Sequence, residues 1–264
     1  MIAPRWLDKE YLDWNERRRA PSGRNFWKTY IPKRYWLNPL LGKMVGSFAF
    51  QPNNSNRTFE YPWAYYHSDI KGDMKIVDIG GGFSGFPFAL SAMGSKVINV
   101  DPFISYGPCD HYQEDPNKVI RMLNRICGTD VELKRQTLES AGFEDNSIDR
   151  IVCISVIEHL SDEDIKETVS EARRILKPGG LFILTVDLFL DCVPFTKKRS
   201  NEHGHNISIK QLVDNSGLQL IHGVKEELNG YSEFDPERIV SNLSRYLLSR
   251  EVPLLTQAFV LKKE

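Results

Sequence analysis

The chain has 264 residues, 41% hydrophobic and 26% charged, which suits a globular protein with one sizeable domain and a decorated end. A formal charge of −1 gives no general electrostatic case for nucleic acid, and no apolar run approaches membrane-spanning length. Cys109, Cys127, Cys153 and Cys192 are far apart and include no C-x-x-C pair. They read as reduced thiols, with neither a disulfide framework nor a metal site. The opening residues, Met1 to Trp6, lack the apolar core of a signal peptide, so the expectation is a cytoplasmic chain.

Composition shifts near residue 70, dividing an N-terminal extension or cap (1–70) from the main domain (71–264). All five tryptophans (Trp6, Trp14, Trp27, Trp36, Trp63) precede that point, as does the run Arg17-Arg18-Arg19. Arg5 to Lys43 is more basic than acidic, and Pro32, Pro39, Pro52 and Pro62 predict short helices and loops in place of a second full domain. Gln51 to Arg57 reads as a polar loop. The arginine run reads as a solvated helix face, the sharper alternative being contact with an anionic substrate or a phosphorylated carrier.

The segment from Lys75 to Pro102 is the most informative. Ile76, Val77 and Ile79 predict a buried strand, followed by a glycine loop at Gly80 to Gly82 and a helix over Phe86 to Met93. A second strand, Val97 to Val100, ends at Asp101. Such a unit binds a nucleoside: glycines let the backbone approach the ligand, and the acid takes the ribose hydroxyls. Gly80, Gly82 and Gly85 satisfy G-x-G-x-x-G, so a dinucleotide also fits the bare motif. Asp78 separates the two readings. A carboxylate at the tip of the first strand opposes a pyrophosphate and favours a ligand with a cationic end.

Beyond Asp101 a loop contains Gly107, Pro108 and Pro116, and a helix is predicted over Asn117 to Cys127. Strands follow at Val131 to Lys134 and within Ile148 to Ser155. Ser161 is placed to cap a helix that starts acidic and ends with Arg173, Arg174 and Lys177, which suits the helix dipole. Pro178-Gly179-Gly180 turns the chain into a fifth strand, Leu181 to Val186. The tail reads as a helix over Ser208 to Ser216, a strand over Leu218 to Val224, a helix from Asp235-Pro236 to about Arg250, and a last strand over Thr256 to Lys262.

Asp78-x-Gly80-x-Gly82 resembles the first motif of the class I S-adenosylmethionine-dependent methyltransferases, with Ser84 where that family often has a third glycine. Gly142 to Asp149, Ser155-Val156-Ile157-Glu158-His159-Leu160 and Leu176-Lys177-Pro178-Gly179-Gly180 resemble later segments of the same family, in the same order. The likeness is close over 71–190, loose in the tail and absent from the first 60 residues. It is nearest to the small-molecule methyltransferases that include ubiquinone-pathway and natural-product enzymes.

The resemblance implies an α/β, Rossmann-like fold: a seven-stranded, mostly parallel sheet with an antiparallel last strand, here with an aromatic helical cap. It implies S-adenosylmethionine as cofactor and a small-molecule acceptor methylated at oxygen, nitrogen or carbon. Asp78 and Gly80, Gly81 and Gly82 would hold the methionine part, and Asp101 the ribose. Pro102 and Phe103 would pack on the adenine, with Thr137 at its amino group and Leu138 as an apolar wall. Ser155 would lie beneath the cofactor. His159 and His205 are the candidates for a catalytic base, each competing with a plain structural or solvated role. The aromatic run Phe59 to Tyr66 reads either as a lid over the sulfonium or as packing for the extension. The absence of an Asn-Pro-Pro-Tyr type segment after the fourth strand argues against DNA as acceptor. Alternatives are a non-catalytic binding subunit with this fold and a nicotinamide-dependent oxidoreductase.

Overall fold

The computed structural model describes residues 1–23, 43–51, 53–104 and 115–264. Trp27, Trp36, Pro32, Pro39, Pro52, Gly107, Pro108 and Cys109 lie outside them. The main sheet contains β1 (Lys75–Ile79), β2 (Lys96–Val100), β3 (Glu132–Lys134), β4 (Ile148–Ile154), β5 (Leu176–Phe189), β8 (Gln219–His222) and β9 (Leu254–Lys262). A separate two-stranded ribbon, β6 (Ser200–Asn201) and β7 (Gly204–His205), follows β5. The main-sheet order is β3-β2-β1-β4-β5-β9-β8; β9 runs antiparallel to both its neighbours, and the pairings from β3 to β5 are parallel. This is the expected seven-stranded sheet with its last strand reversed.

The helices form where their caps and faces direct. α1 spans Lys9–Arg18, α2 Arg57–His67, α3 Phe86–Ser91 and α4 Pro116–Cys127; α5 spans Asp162–Ile175, α6 Ile209–Ser216 and α7 Pro236–Ser241. Asp115 caps α4 by accepting the Asn117 amide, and Pro116 takes the first helical position, where no amide is needed. Ser161 caps α5, which opens with Asp162, Glu163 and Asp164 and closes with Arg173 and Arg174. Ser208 caps α6, and Gly217 ends it in the left-handed conformation at φ +59°.

Both faces of the sheet are covered. On one face Val77, Ile98, Ile151, Phe182 and Leu184 pack with Val169, Ala172 and Ile175 of α5 and Leu212 of α6. On the other, Ile76, Val97, Val152, Ile183 and Val260 share a core with Trp14, Phe48, Phe59, Tyr61, Trp63 and Phe86. The aromatic run Phe59 to Tyr66 thus lies within α2 and packs the extension onto the sheet. Trp14 meets Phe48, Tyr65 and Phe86, and Tyr61 stacks on Phe86 at 5.2 Å.

Three expectations are corrected. The helix predicted to Arg250 stops at Ser241, because the following segment pairs with the N-terminus: Arg5 donates to Arg245 O, and Leu247 donates to Ala3 O. The Pro178-Gly179-Gly180 turn lies inside β5 as an irregularity, where pairing with β4 jumps from Ile148↔Leu176 to Arg150↔Leu181. The arginine run is not simply solvated. Arg18 lies over the rings of Trp14 and Tyr65 at 5.0 and 5.1 Å, and Arg19 donates to the carbonyls of Lys43 and Met44.

Candidate functional site

The C-terminal ends of β1, β2, β4 and β5 lie at one edge of the parallel sheet, where ligands bind in open α/β folds. Gly80 leaves β1 at φ +66°, and a Cβ there would lie 2.5 Å from Val156 Cγ2. A Cβ on Gly81 would lie 2.6 Å from Asp78 Oδ2 and 2.9 Å from Asn99 Oδ1. The loop therefore requires glycine at these positions for close approach. Asp78 and Asn99 are both buried, and Asp78 Oδ2 and Asn99 Oδ1 have no hydrogen-bond partner among the described residues. Burial, with Asp101 adding repulsion, pushes the Asp78 carboxyl up to about 8.

Asp101 braces the loop from the end of β2. Its Oδ2 accepts the Gly82 amide at 2.9 Å and its Oδ1 the Phe103 amide at 2.7 Å. Burial raises this carboxyl, and those two amides partly offset the effect. A carboxylate retains further lone-pair directions after two such bonds, so it can still accept from hydroxyls. Phe103 sits at φ +53° with its ring 4.7 Å from Phe83, beside the half-buried Pro102. Thr137 is exposed, with its hydroxyl 3.2 Å from Ser140 Oγ, whereas Leu138 is buried in the core.

Ser155 follows β4 at φ +45°, an uncommon conformation for a residue with a side chain. It anchors a polar cluster that the cap enters. Arg57 Nη1 of α2 donates to Ser155 Oγ at 2.7 Å and pairs with Glu60 Oε2. Glu60 Oε1 lies 2.7 Å from Ser155 Oγ and accepts from Thr185 Oγ1 at 2.8 Å. Asp187 Oδ1 lies 3.2 Å from Ser155 Oγ, and the Asp187 amide donates to Glu158 Oε1 at 3.1 Å. Burial opposes the Arg57 charge, but Glu60, Tyr61 and Asp187 outweigh it and raise its pKa. Burial pushes Glu158 up to about 7, and raises Asp187 well above the usual carboxylate range with help from Glu158 and Glu60.

His159 lies exposed on the short turn after Glu158, and His205 is half-buried on β7, with Nε2 3.7 Å from Asp162 Oδ1. Sequence reasoning missed Asn99, Gln51, Arg57, Glu60 and Asp187 as site residues. Gln51 Oε1 accepts the Phe83 amide at 2.8 Å and abuts the position a Cβ on Gly82 would take. A separate surface hollow of about 430 Å³, lined by Asp191, Lys198, Asn201 and His203 among others, lies within and beside the segment after β5. Among the described residues no group of acids, cysteines and histidines is arranged to hold a metal, and no helix is long and apolar enough to cross a membrane.

Residues 77–184 match the family model described as "Methyltransferase domain". Human mitochondrial ubiquinone biosynthesis O-methyltransferase is 32% identical over 118 residues, a stretch covering 43% of this chain and 29% of that relative's length. Two solved structures show the same fold. The cyclase SpnF aligns over 92% of this chain and 97% of its own, with a TM-score of 0.56 and 12% identity. Geranyl diphosphate C-methyltransferase from Streptomyces coelicolor, solved with S-adenosyl-L-homocysteine, aligns over 79% of this chain and 76% of its own, with a TM-score of 0.53 and 15% identity.

Proposed function

We propose that this protein, whose residues 77–184 match a methyltransferase-domain family model, is a class I S-adenosylmethionine-dependent methyltransferase that transfers a methyl group to a small-molecule acceptor. S-adenosylmethionine is the cofactor of that family. The observation that carries the reading is the pair of buried oxygens, Asp78 Oδ2 and Asn99 Oδ1, that have no partner among the described residues and lie beneath a glycine with no room for a Cβ. A buried carboxylate without a partner is costly. A ligand with a cationic end meets that cost, whereas a dinucleotide pyrophosphate increases it.

On this reading Gly80 to Gly82 and Asp78 hold the methionine part of the cofactor, and Asp101 accepts from the ribose hydroxyls. Phe103 and Pro102 border the adenine, with Leu138 and Thr137 at its far side. Ser155, fixed by Arg57 and Glu60, closes the floor at the tip of β4. The cofactor supplies an already activated methyl group, so the protein contributes mainly alignment and exclusion of water. The cap, through Arg57, and the segment from Phe189 to His205 would then shape the acceptor pocket.

Calorimetric titration with S-adenosylmethionine and, separately, NAD tests this, with Asp101→Ala as control. Micromolar binding of S-adenosylmethionine, lost in the variant, is expected, followed by transfer of labelled methyl to an acceptor. Tighter binding of NAD would overturn the reading. Cofactor binding without transfer to any acceptor would favour a role outside methyl transfer; a cyclase shares this fold.

A further inference from the structure

The acceptor class can be argued from the cluster at the ends of β4 and β5, given the methyl-transfer reading above. Three carboxyls, Glu60, Glu158 and Asp187, surround one guanidinium, and their exposures are 0%, 0% and 5%. Counting hydrogens constrains their protonation. Ser155 has one hydroxyl proton, yet its Oγ lies within hydrogen-bond distance of both Glu60 Oε1 and Asp187 Oδ1. It cannot donate to both. Glu60 already receives Arg57 and Thr185 and is the nearer of the two, so Ser155 donates to Glu60. Asp187 then faces the Ser155 lone pairs, a contact that is favourable only if Asp187 carries a proton and donates it.

Glu158 differs from both. Its Oε1 accepts the Asp187 amide, but its Oε2 has no partner among the described residues, although the side chain is fully buried. Leaving such an oxygen unpaired costs stability, and packing alone would be better served by an apolar residue. The groups facing Glu158 are Arg57 and Glu60 from α2, Asp187 from β5 and Cys153 from β4, with His159 next to it on its own turn.

We propose that Glu158 Oε2 takes the proton of the incoming nucleophile while Asp187 holds a proton in the resting protein, so that the acceptor is a neutral hydroxyl or an amine and not an anion. In the step, a hydroxyl acceptor gives its proton to Glu158 as the electron pair of the breaking O–H bond forms the new bond to the methyl carbon; an amine acceptor forms that bond with its own lone pair, and the resulting ammonium then gives an N–H proton to Glu158. The carbon–sulfur bond breaks, and its pair stays on sulfur as a neutral thioether. Burial, which raises both Glu158 and Asp187, is consistent with this division of protons. Among the described residues three carboxyls stand beside one guanidinium, a surplus that disfavours an anionic acceptor.

Infrared spectroscopy of the full chain at neutral pH tests the resting proton without turnover. The protonated-carboxyl stretch, assigned to aspartate by isotope labelling in the unmutated protein, is expected to lose one component in Asp187→Asn and to keep the component from Asp78. A stretch that Asp187→Asn leaves unchanged overturns the proposal. Glu158→Gln tests the proton acceptor: S-adenosylmethionine affinity should stay within about two-fold, while transfer to catechol or aniline falls by about 100-fold and loses its rise with pH around neutrality. An unchanged rate and pH profile overturns it, as does transfer to neither probe or to benzoate instead. Failure of the unmutated protein to bind S-adenosylmethionine would count against the methyl-transfer reading, and the infrared result would still decide the protonation state.

Discussion

Asp78 and Asn99 are register partners across β1 and β2, and each directs at the same glycine, Gly81, a buried oxygen that has no partner among the described residues. The register brings them together, and Asn99 Nδ2 fixes the arrangement by donating to the Gly82 carbonyl at 2.9 Å. Gly81→Ala would force its Cβ against both oxygens. The expected outcome is a loss of about 1–3 kcal/mol of stability in urea unfolding, as for other overpacked sites. Calorimetry should also show at least about ten-fold weaker S-adenosylmethionine binding, since one 1.4 kcal/mol step is ten-fold. Unchanged unfolding and affinity would show that the loop relaxes without consequence.

Asp101 does two jobs that a pair of variants can separate. It holds the Gly82 and Phe103 amides in the free protein, and on the proposed reading it also accepts from the ribose. Asp101→Asn keeps one acceptor oxygen and the shape; Asp101→Ala keeps neither. The alanine variant should lose about 1.5–3 kcal/mol of cofactor binding for each charge-assisted bond removed. The asparagine variant should fall between it and the unmutated protein. Equal affinities for all three would exclude a role for Asp101 in ligand binding.

The glycine loop, the acids at the ends of β1 and β2 and the strand order were legible because those signals are local. Asp78, Gly80 to Gly82 and Asp101 sit within one short strand–loop–helix–strand unit. Asn99 carries a signal only once its register with Asp78 is known. Arg57 and Glu60 were not legible, because they reach Ser155 across 98 and 95 residues of sequence. Their own neighbourhood reads as an aromatic packing segment, which it also is. The early end of α7 has the same origin: local propensity favours continuing to Arg250, but pairing of Arg245 and Leu247 with the N-terminal residues prevails.

The pH dependence follows from Asp78. Its carboxyl is raised from 3.8 to about 8 in the folded protein, so the neutral form predominates at pH 7. A cationic ligand favours the ionised form and must displace a proton below about pH 8. Affinity for S-adenosylmethionine should therefore rise as pH increases from 6 towards about 8, with proton release seen as buffer-dependent binding heat. The sign is opposite for stability of the free protein. Between the unfolded and folded pKa values the folded state binds the extra proton, so the Asp78 contribution to stability falls as pH rises through that window. Asp78→Asn should remove both effects.

Arg57 provides the strongest test that the cap is part of the site as well as its covering. The guanidinium pairs with Glu60, whose carboxylate is wholly buried, and it reaches Ser155 at the tip of β4. Arg57→Ala leaves Glu60 buried without its cation, and removing one partner of a buried pair typically costs about 3–5 kcal/mol. Arg57→Ala with Glu60→Gln removes the stranded charge and should recover much of that loss, because the cost lies in the unpaired carboxylate. The double variant would still lack the bond that fixes Ser155, so methyl transfer should remain depressed while urea unfolding approaches that of the unmutated protein. Recovery of stability and activity together would assign the pair a purely structural role. Loss of activity alone in the refolded double variant would tie the N-terminal segment to the reaction.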